Sequence, residues 1–167
     1  MYDYKNAMYE KAEKYFAASN CLKNNGIIDE SLLIEIQISI ECYLCNILEM
    51  INENDCDSIF GNQEIPHDGL KLYRKIYPYG ETYHPALPKF NVEFKNLLNG
   101  VFRDYNAIRY PKRNNTLKGM RMVDVDDILN DFDLMLEIKD FADRFRERYF
   151  ELKAEKNIAD DIEIDDL

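Results

Sequence analysis

Apolar side chains recur every three or four residues between positions 32 and 51, and this stripe constrains the fold more than any other feature. The period is that of an α-helix with a buried face. Ile34 and Ile38 extend the stripe nearly all round the helix, so we expect this helix to be the most buried one. The stripe consists of Leu33, Ile36, Ile40, Tyr43, Leu44, Ile47, Leu48 and Ile51.

The rest of the N-terminal half predicts two more helices. Residues 4–24 carry one apolar face, and Asn25-Gly26 ends this helix because both residues tolerate the left-handed conformation. Asp29 is placed to cap the central helix. Proline is favoured in the first turn of a helix, so Pro66 predicts a short third helix after a polar loop.

The C-terminal half predicts two long helices. One runs from about 87 to 108 and stops before a proline, which biases the preceding residue away from helical geometry. The last helix begins after Asp124, where the carboxylates of Asp126 and Asp127 suit the positive end of the helix dipole. We expect this helix to end near Lys156.

Few residues in the chain break helices, since 167 residues include only 6 Gly and 5 Pro. We therefore expect an all-α fold, a four-to-five-helix up-and-down bundle with one core. Residues 1–156 form a single domain in this prediction, and the acidic segment 157–167 forms a disordered tail. The expected core includes Ile36, Ile40, Leu44, Phe94, Leu98, Phe132 and Phe145.

No feature of the sequence indicates export or membrane insertion. The N-terminus lacks a basic start followed by an apolar run. Glu35, Glu41 and Glu49 interrupt the most apolar stretch, so we expect no membrane-spanning helix. The four cysteines lack the spacing of a secreted disulfide framework, so we expect reduced thiols and a cytoplasmic location.

Motifs typical of catalysis or metal binding find simpler explanations. Cys42 and Cys45 have CxxC spacing, but zinc needs further ligands and no second pair exists, so buried structural cysteines explain them better. His67 and His84 are the only histidines, and we interpret both as structural or surface residues. We therefore predict no catalytic residue, no metal site and no cofactor.

The one unusual feature is a concentration of cations in an acidic chain. The net charge is −11, yet residues 103–121 contain six Lys or Arg and two Tyr. Arginine binds phosphate through paired hydrogen bonds and tyrosine stacks on bases, which favours a phosphate site. Cations near a helix C-terminus also complement the helix dipole, and this structural reading stays open. The candidate ligand-binding residues are Arg103, Asp104, Tyr105, Arg109, Tyr110, Lys112 and Arg113.

Three short motifs, in this order, resemble the HEPN family (higher eukaryotes and prokaryotes nucleotide-binding). Residues 40–48, in which Glu41 precedes an apolar stripe, resemble the family's central helix. Residues 67–72 resemble its H-D-L-x-x-L stretch, with Gly69 in place of the first leucine. Residues 107–111 resemble the R-Y-P ending of many members. The resemblance covers the chain from about Tyr4 to Leu152.

The resemblance implies a bundle of four or more helices that is often dimeric. Some members are metal-independent ribonucleases, in which an arginine holds the phosphate and a histidine follows five to seven residues further on. This sequence has no arginine at that spacing before His67 or His84, and Ile108 stands at the histidine position after Arg103. Because isoleucine cannot transfer a proton, we expect a protein without nuclease activity.

Other members of the family bind nucleotides or accompany nucleotidyltransferases in toxin–antitoxin or resistance systems. The leading hypothesis is therefore a non-catalytic HEPN-like domain that binds a nucleotide, RNA or a partner protein, as a homodimer. A divergent HEPN ribonuclease and a plain helical protein-interaction module remain as alternatives.

Overall fold

The described part of the chain is built from α-helices. The computed structural model describes residues 4–52, 69–76, 96, 98–101 and 124–165. The helices are α1 at Tyr4–Asn24, α2 at Glu30–Asn52, α3 at Gly69–Ile76 and α4 at Val125–Asp165, and residues 96 and 98–101 are helical too. None of these residues lies in a β-strand, which confirms the all-α prediction for the described chain. Pro66 and most of the predicted helix 87–108 lie outside it.

The turn between α1 and α2 follows the predicted chemistry. Gly26 has a φ of 72°, in the left-handed region, and the Ile27 amide donates to the Leu22 carbonyl at 3.0 Å. On the other side of the turn, the Asp29 carboxylate accepts a hydrogen bond of 2.8 Å from the Ser31 amide. The turn between the two helices therefore contains only five residues, 25–29, and it holds α1 and α2 as an antiparallel pair.

Helix α2 is the central helix, as its apolar stripe predicts. Helices α1, α3 and α4 all pack against it, and 15 of its 23 residues are buried. Each large apolar side chain buried in this way contributes roughly 1.5–3 kcal/mol to stability. Six predicted core residues are buried, and Phe94 lies outside the described residues. The six are Ile36, Ile40, Leu44, Leu98, Phe132 and Phe145.

Contacts between α1 and α4 fix the directions of the helices. Lys139 of α4 lies 2.7 Å from Glu13, and Arg146 lies 2.8 Å from Asn6. Residue numbers rise along α4 while they fall along α1, so these two helices are antiparallel. Since α1 is also antiparallel to α2, helices α2 and α4 run in the same direction.

Helix α4 begins as predicted but ends later. The Asp124 carboxylate accepts a hydrogen bond of 2.8 Å from the Asp127 amide, which caps the helix. The predicted end near Lys156 is wrong, because α4 continues to Asp165. Residues 157–165 contain no Gly or Pro, and acidic composition alone does not break a helix. The division between a domain at 1–156 and a separate tail stays a prediction.

One described helix, α2, is long and apolar enough to cross a membrane by length and composition. Its most apolar stretch is 72% buried inside the protein, and the buried core helix of a helical bundle meets the same criteria of length and composition. The expectation that no helix of this chain spans a membrane therefore stays a prediction.

Candidate functional site

The predicted phosphate site cannot be compared with the structure. All seven of its candidate residues, Arg103, Asp104, Tyr105, Arg109, Tyr110, Lys112 and Arg113, lie outside the described residues. The same holds for His67 and His84. The described helices instead show a polar cluster that joins α1, α2 and α4.

This cluster, the Lys139 network, consists of Lys139 and Asp143 of α4, Tyr9 and Glu13 of α1, and Tyr43 of α2. The Lys139 ammonium donates to Glu13 at 2.7 Å and to Asp143 at 3.0 Å. The Tyr43 hydroxyl donates to Glu13, and the Tyr9 hydroxyl donates to Asp143, each at 2.5 Å. Each carboxylate therefore accepts from one ammonium and one phenol, and the network connects three helices.

Aromatic rings surround the ammonium of Lys139. Its nitrogen lies 5.1 Å from the centre of the Phe16 ring, and the Tyr9 and Tyr43 ring centres are 5.9 and 5.8 Å away. Burial alone lowers the pKa of Lys139, but hydrogen bonds to Glu13 and Asp143 outweigh it and raise the pKa above its ordinary value. Lys139 is therefore fully charged at neutral pH.

Both tyrosines of the network are held in the protonated form. Burial, followed by the hydrogen bond to Asp143, raises the pKa of Tyr9 to about 12. Burial and the hydrogen bond to Glu13 raise the pKa of Tyr43 far above its ordinary value. A phenol that donates to a carboxylate would lose that bond on ionising and would face a second negative charge.

The protonation states decide what the network can do. A general base or nucleophile needs a pKa near the working pH, whereas Lys139 and both tyrosines keep their protons well above it. The hydrogen bonds of the network join α1, α2 and α4, so the arrangement cross-links three helices. Among the residues that the structure describes, no group of three or more His, Cys, Asp or Glu side chains could hold a metal ion.

Arg146 extends the polar contacts toward the N-terminus of α1. Its guanidinium stacks on the Tyr9 ring, 4.0 Å from the ring centre. It also donates to the amide oxygens of Asn6, at 2.8 Å, and of buried Asn46, at 3.3 Å. One side chain thus bridges α1 and α2 from α4.

Other polar residues of α2 serve packing. The buried Ser39 hydroxyl donates to the Ala12 carbonyl of α1 at 3.2 Å, and this small side chain lets the two backbones lie close together. The side chains of Cys42 and Cys45 are buried inside α2, as expected for structural cysteines. Gln37 is fully buried and donates to Glu41 at 2.7 Å.

Sequence reasoning did not find the Lys139 network. One signal was present, since Lys139 and Asp143 are four residues apart and lie beside the apolar residues of a predicted helix. The contact between Lys139 and Glu13 spans 126 residues of sequence, and it depends on how two helices are rotated against each other.

No protein-family model, no curated protein and no solved structure matches this chain.

Proposed function

We propose that the protein is a non-catalytic HEPN-like domain that binds a nucleotide phosphate or a partner protein, as a homodimer in the cytoplasm. The observation that carries the proposal is the concentration of six cations in residues 103–121 of a chain with a net charge of −11. A cluster of cations raises the local potential, which a bound anion relieves. The helical fold and the central position of α2 are compatible with the resemblance to the HEPN family.

The proposal is non-catalytic for two reasons. The ribonuclease pattern of the family is missing around His67 and His84, and Ile108 occupies the histidine position after Arg103. Association with a nucleotidyltransferase, in a toxin–antitoxin or resistance system, follows from the resemblance and forms part of the proposal.

One part of the proposal, which we call the phosphate branch, is that the chain binds a nucleotide phosphate. Calorimetric titration of the full chain with ATP, AMP and short RNA oligomers at low salt tests it. We expect binding that weakens as salt rises, because ion release accompanies phosphate contacts. Arg109→Ala should weaken binding about tenfold, the loss expected for one charge-assisted contact. Arg144→Ala is the matched control, because Arg144 is exposed on α4 and forms an ion pair with Asp140 outside the basic segment.

Two results would contradict the phosphate branch. One is the absence of binding to all three ligands at low salt. The other is an Arg109→Ala variant that stays folded and binds as tightly as the parent and the Arg144→Ala control. Either result would leave the plain interaction module as the better explanation.

A further inference from the structure

Helix α1 contributes few deeply buried side chains to the bundle. Among residues 6–24, whose side chains the structure describes, only Ala12 and Ser19 are buried, and both side chains are small. The hydrophobic gain scales with the apolar area buried, so α1 gains less from packing than α2, of which 15 of 23 residues are buried. The larger apolar side chains of α1 that pack against the core are only half-buried, namely Met8, Tyr9, Phe16 and Leu22.

The Lys139 network holds the part of α1 that lies away from the turn between α1 and α2. Three of its hydrogen bonds reach α1 from the other helices, two at Glu13 and one at Tyr9. Glu13 stands 12 residues before the first residue of the turn at 25–29, which is about 18 Å along the helix axis. The turn therefore fixes one end of α1, and the network fixes the helix beyond the reach of the turn.

Helices α2 and α4 pack directly against each other and bury large side chains in one core. Ile40 and Leu44 of α2 are fully buried there, as are Ile138 and Phe145 of α4. These contacts do not pass through α1, so they can persist when α1 moves away.

We propose that α1 is a detachable helix, which opens and closes as a unit while α2 and α4 stay folded, and that the Lys139 network is the latch that sets how often it opens. Proteins open locally in contiguous units, and elements with few buried apolar contacts open most easily. In the open state, Ser39 and Tyr43 of α2, both fully buried in the closed state, become accessible to water. The inference goes beyond the proposed function, and it holds whether or not the chain binds phosphate.

Amide hydrogen exchange, followed by NMR on the full chain at neutral pH, tests the proposal. After correction for intrinsic rates, amides at the centre of α1 should exchange at least about tenfold faster than amides at the centres of α2 and α4. Lys139→Met keeps a long side chain and removes the ammonium, so it should speed α1 exchange about tenfold, as loss of a charge-assisted hydrogen bond does. Tyr43→Phe removes one hydroxyl of the latch and should act in the same direction, so the test does not depend on the folding of a single variant.

Ile138→Val is the matched control, because Ile138 is fully buried in α4 and is not part of the latch. The smaller side chain weakens packing that persists when α1 is open, so it should speed exchange in α2 and α4 about fivefold and leave α1 exchange unchanged. The proposal is overturned if α1 amides are as well protected as those of α2, if Ile138→Val speeds exchange equally in α1 and α2, or if neither latch variant speeds α1 exchange.

Discussion

The Tyr43 hydroxyl connects α2 to α1, and removing it tests the role of the Lys139 network. Tyr43 is fully buried in α2, and its hydroxyl donates to Glu13 of α1 at 2.5 Å. Tyr43→Phe keeps the ring in the core and removes only this donor. A hydrogen bond to a charged group contributes about 1.5–3 kcal/mol.

The lower end of that range applies here. The Glu13 side chain is 38% exposed, so water can replace part of the lost hydrogen bond, and Lys139 still donates to it. We therefore expect a loss of about 1.5 kcal/mol, which lowers the Tm of a chain of this length by roughly 3–6 °C. Thermal unfolding followed by far-UV circular dichroism measures the change.

Tyr15→Phe is the matched control for this prediction. Tyr15 lies on the same helix as Glu13 and is half-buried, and none of the hydrogen bonds found in the described chain involves its hydroxyl. We expect its Tm to stay close to that of the parent. If Tyr43→Phe and Tyr15→Phe melt together, within about 1 °C of the parent, the network does not stabilise the bundle and the argument fails.

Two other predictions concern alkaline stability and RNA. Because the folded-state pKa of Tyr9 is raised to about 12, its contribution to stability is complete below the unfolded-state pKa of 10 and is lost as pH rises through 12. Urea unfolding should therefore show that the free energy of unfolding falls less between pH 9 and pH 11 for Tyr9→Phe than for the parent. An equal fall in both proteins would contradict the raised pKa of Tyr9. Purified protein should show no RNA cleavage that depends on histidine. Robust cleavage that disappears in His67→Ala or His84→Ala would instead support the divergent ribonuclease.

Local signals made the helices predictable from sequence. The stripe of α2, the left-handed conformation of Gly26, the cap at Asp29 and the start of α4 after Asp124 each depend on a few neighbouring residues, and the structure confirms them. The predicted end of α4 is wrong because the acidic composition of residues 157–165 suggests a disordered tail, whereas the absence of Gly and Pro lets the helix continue. Helix ends without a breaker leave little local signal.

The cross-links between helices could not be predicted in the same way. Glu13 and Lys139 are both ordinary surface residues by type, and only the packing of α1 against α4 turns them toward each other. The sequence contains many acids that could pair with Lys139, and periodicity does not choose among them. The candidate phosphate-binding residues are a different case from these cross-links. Their chemical type suggests an anionic ligand, but their proximity to one another stays a prediction.

The charge of the whole chain bears on which phosphate ligand the proposal favours. A nucleotide brings its phosphates to one place, where the six cations of residues 103–121 can meet them. A longer RNA adds phosphates that lie beyond this segment, in the field of a protein with a net charge of −11 and beside acidic surfaces such as the exposed side of α4 that carries Asp133, Glu137 and Asp140. Each added phosphate within a Debye length of about 8–10 Å of such a surface is repelled, and salt that screens this repulsion also weakens the cation contacts. The proposed site therefore suits a mononucleotide better than an extended RNA.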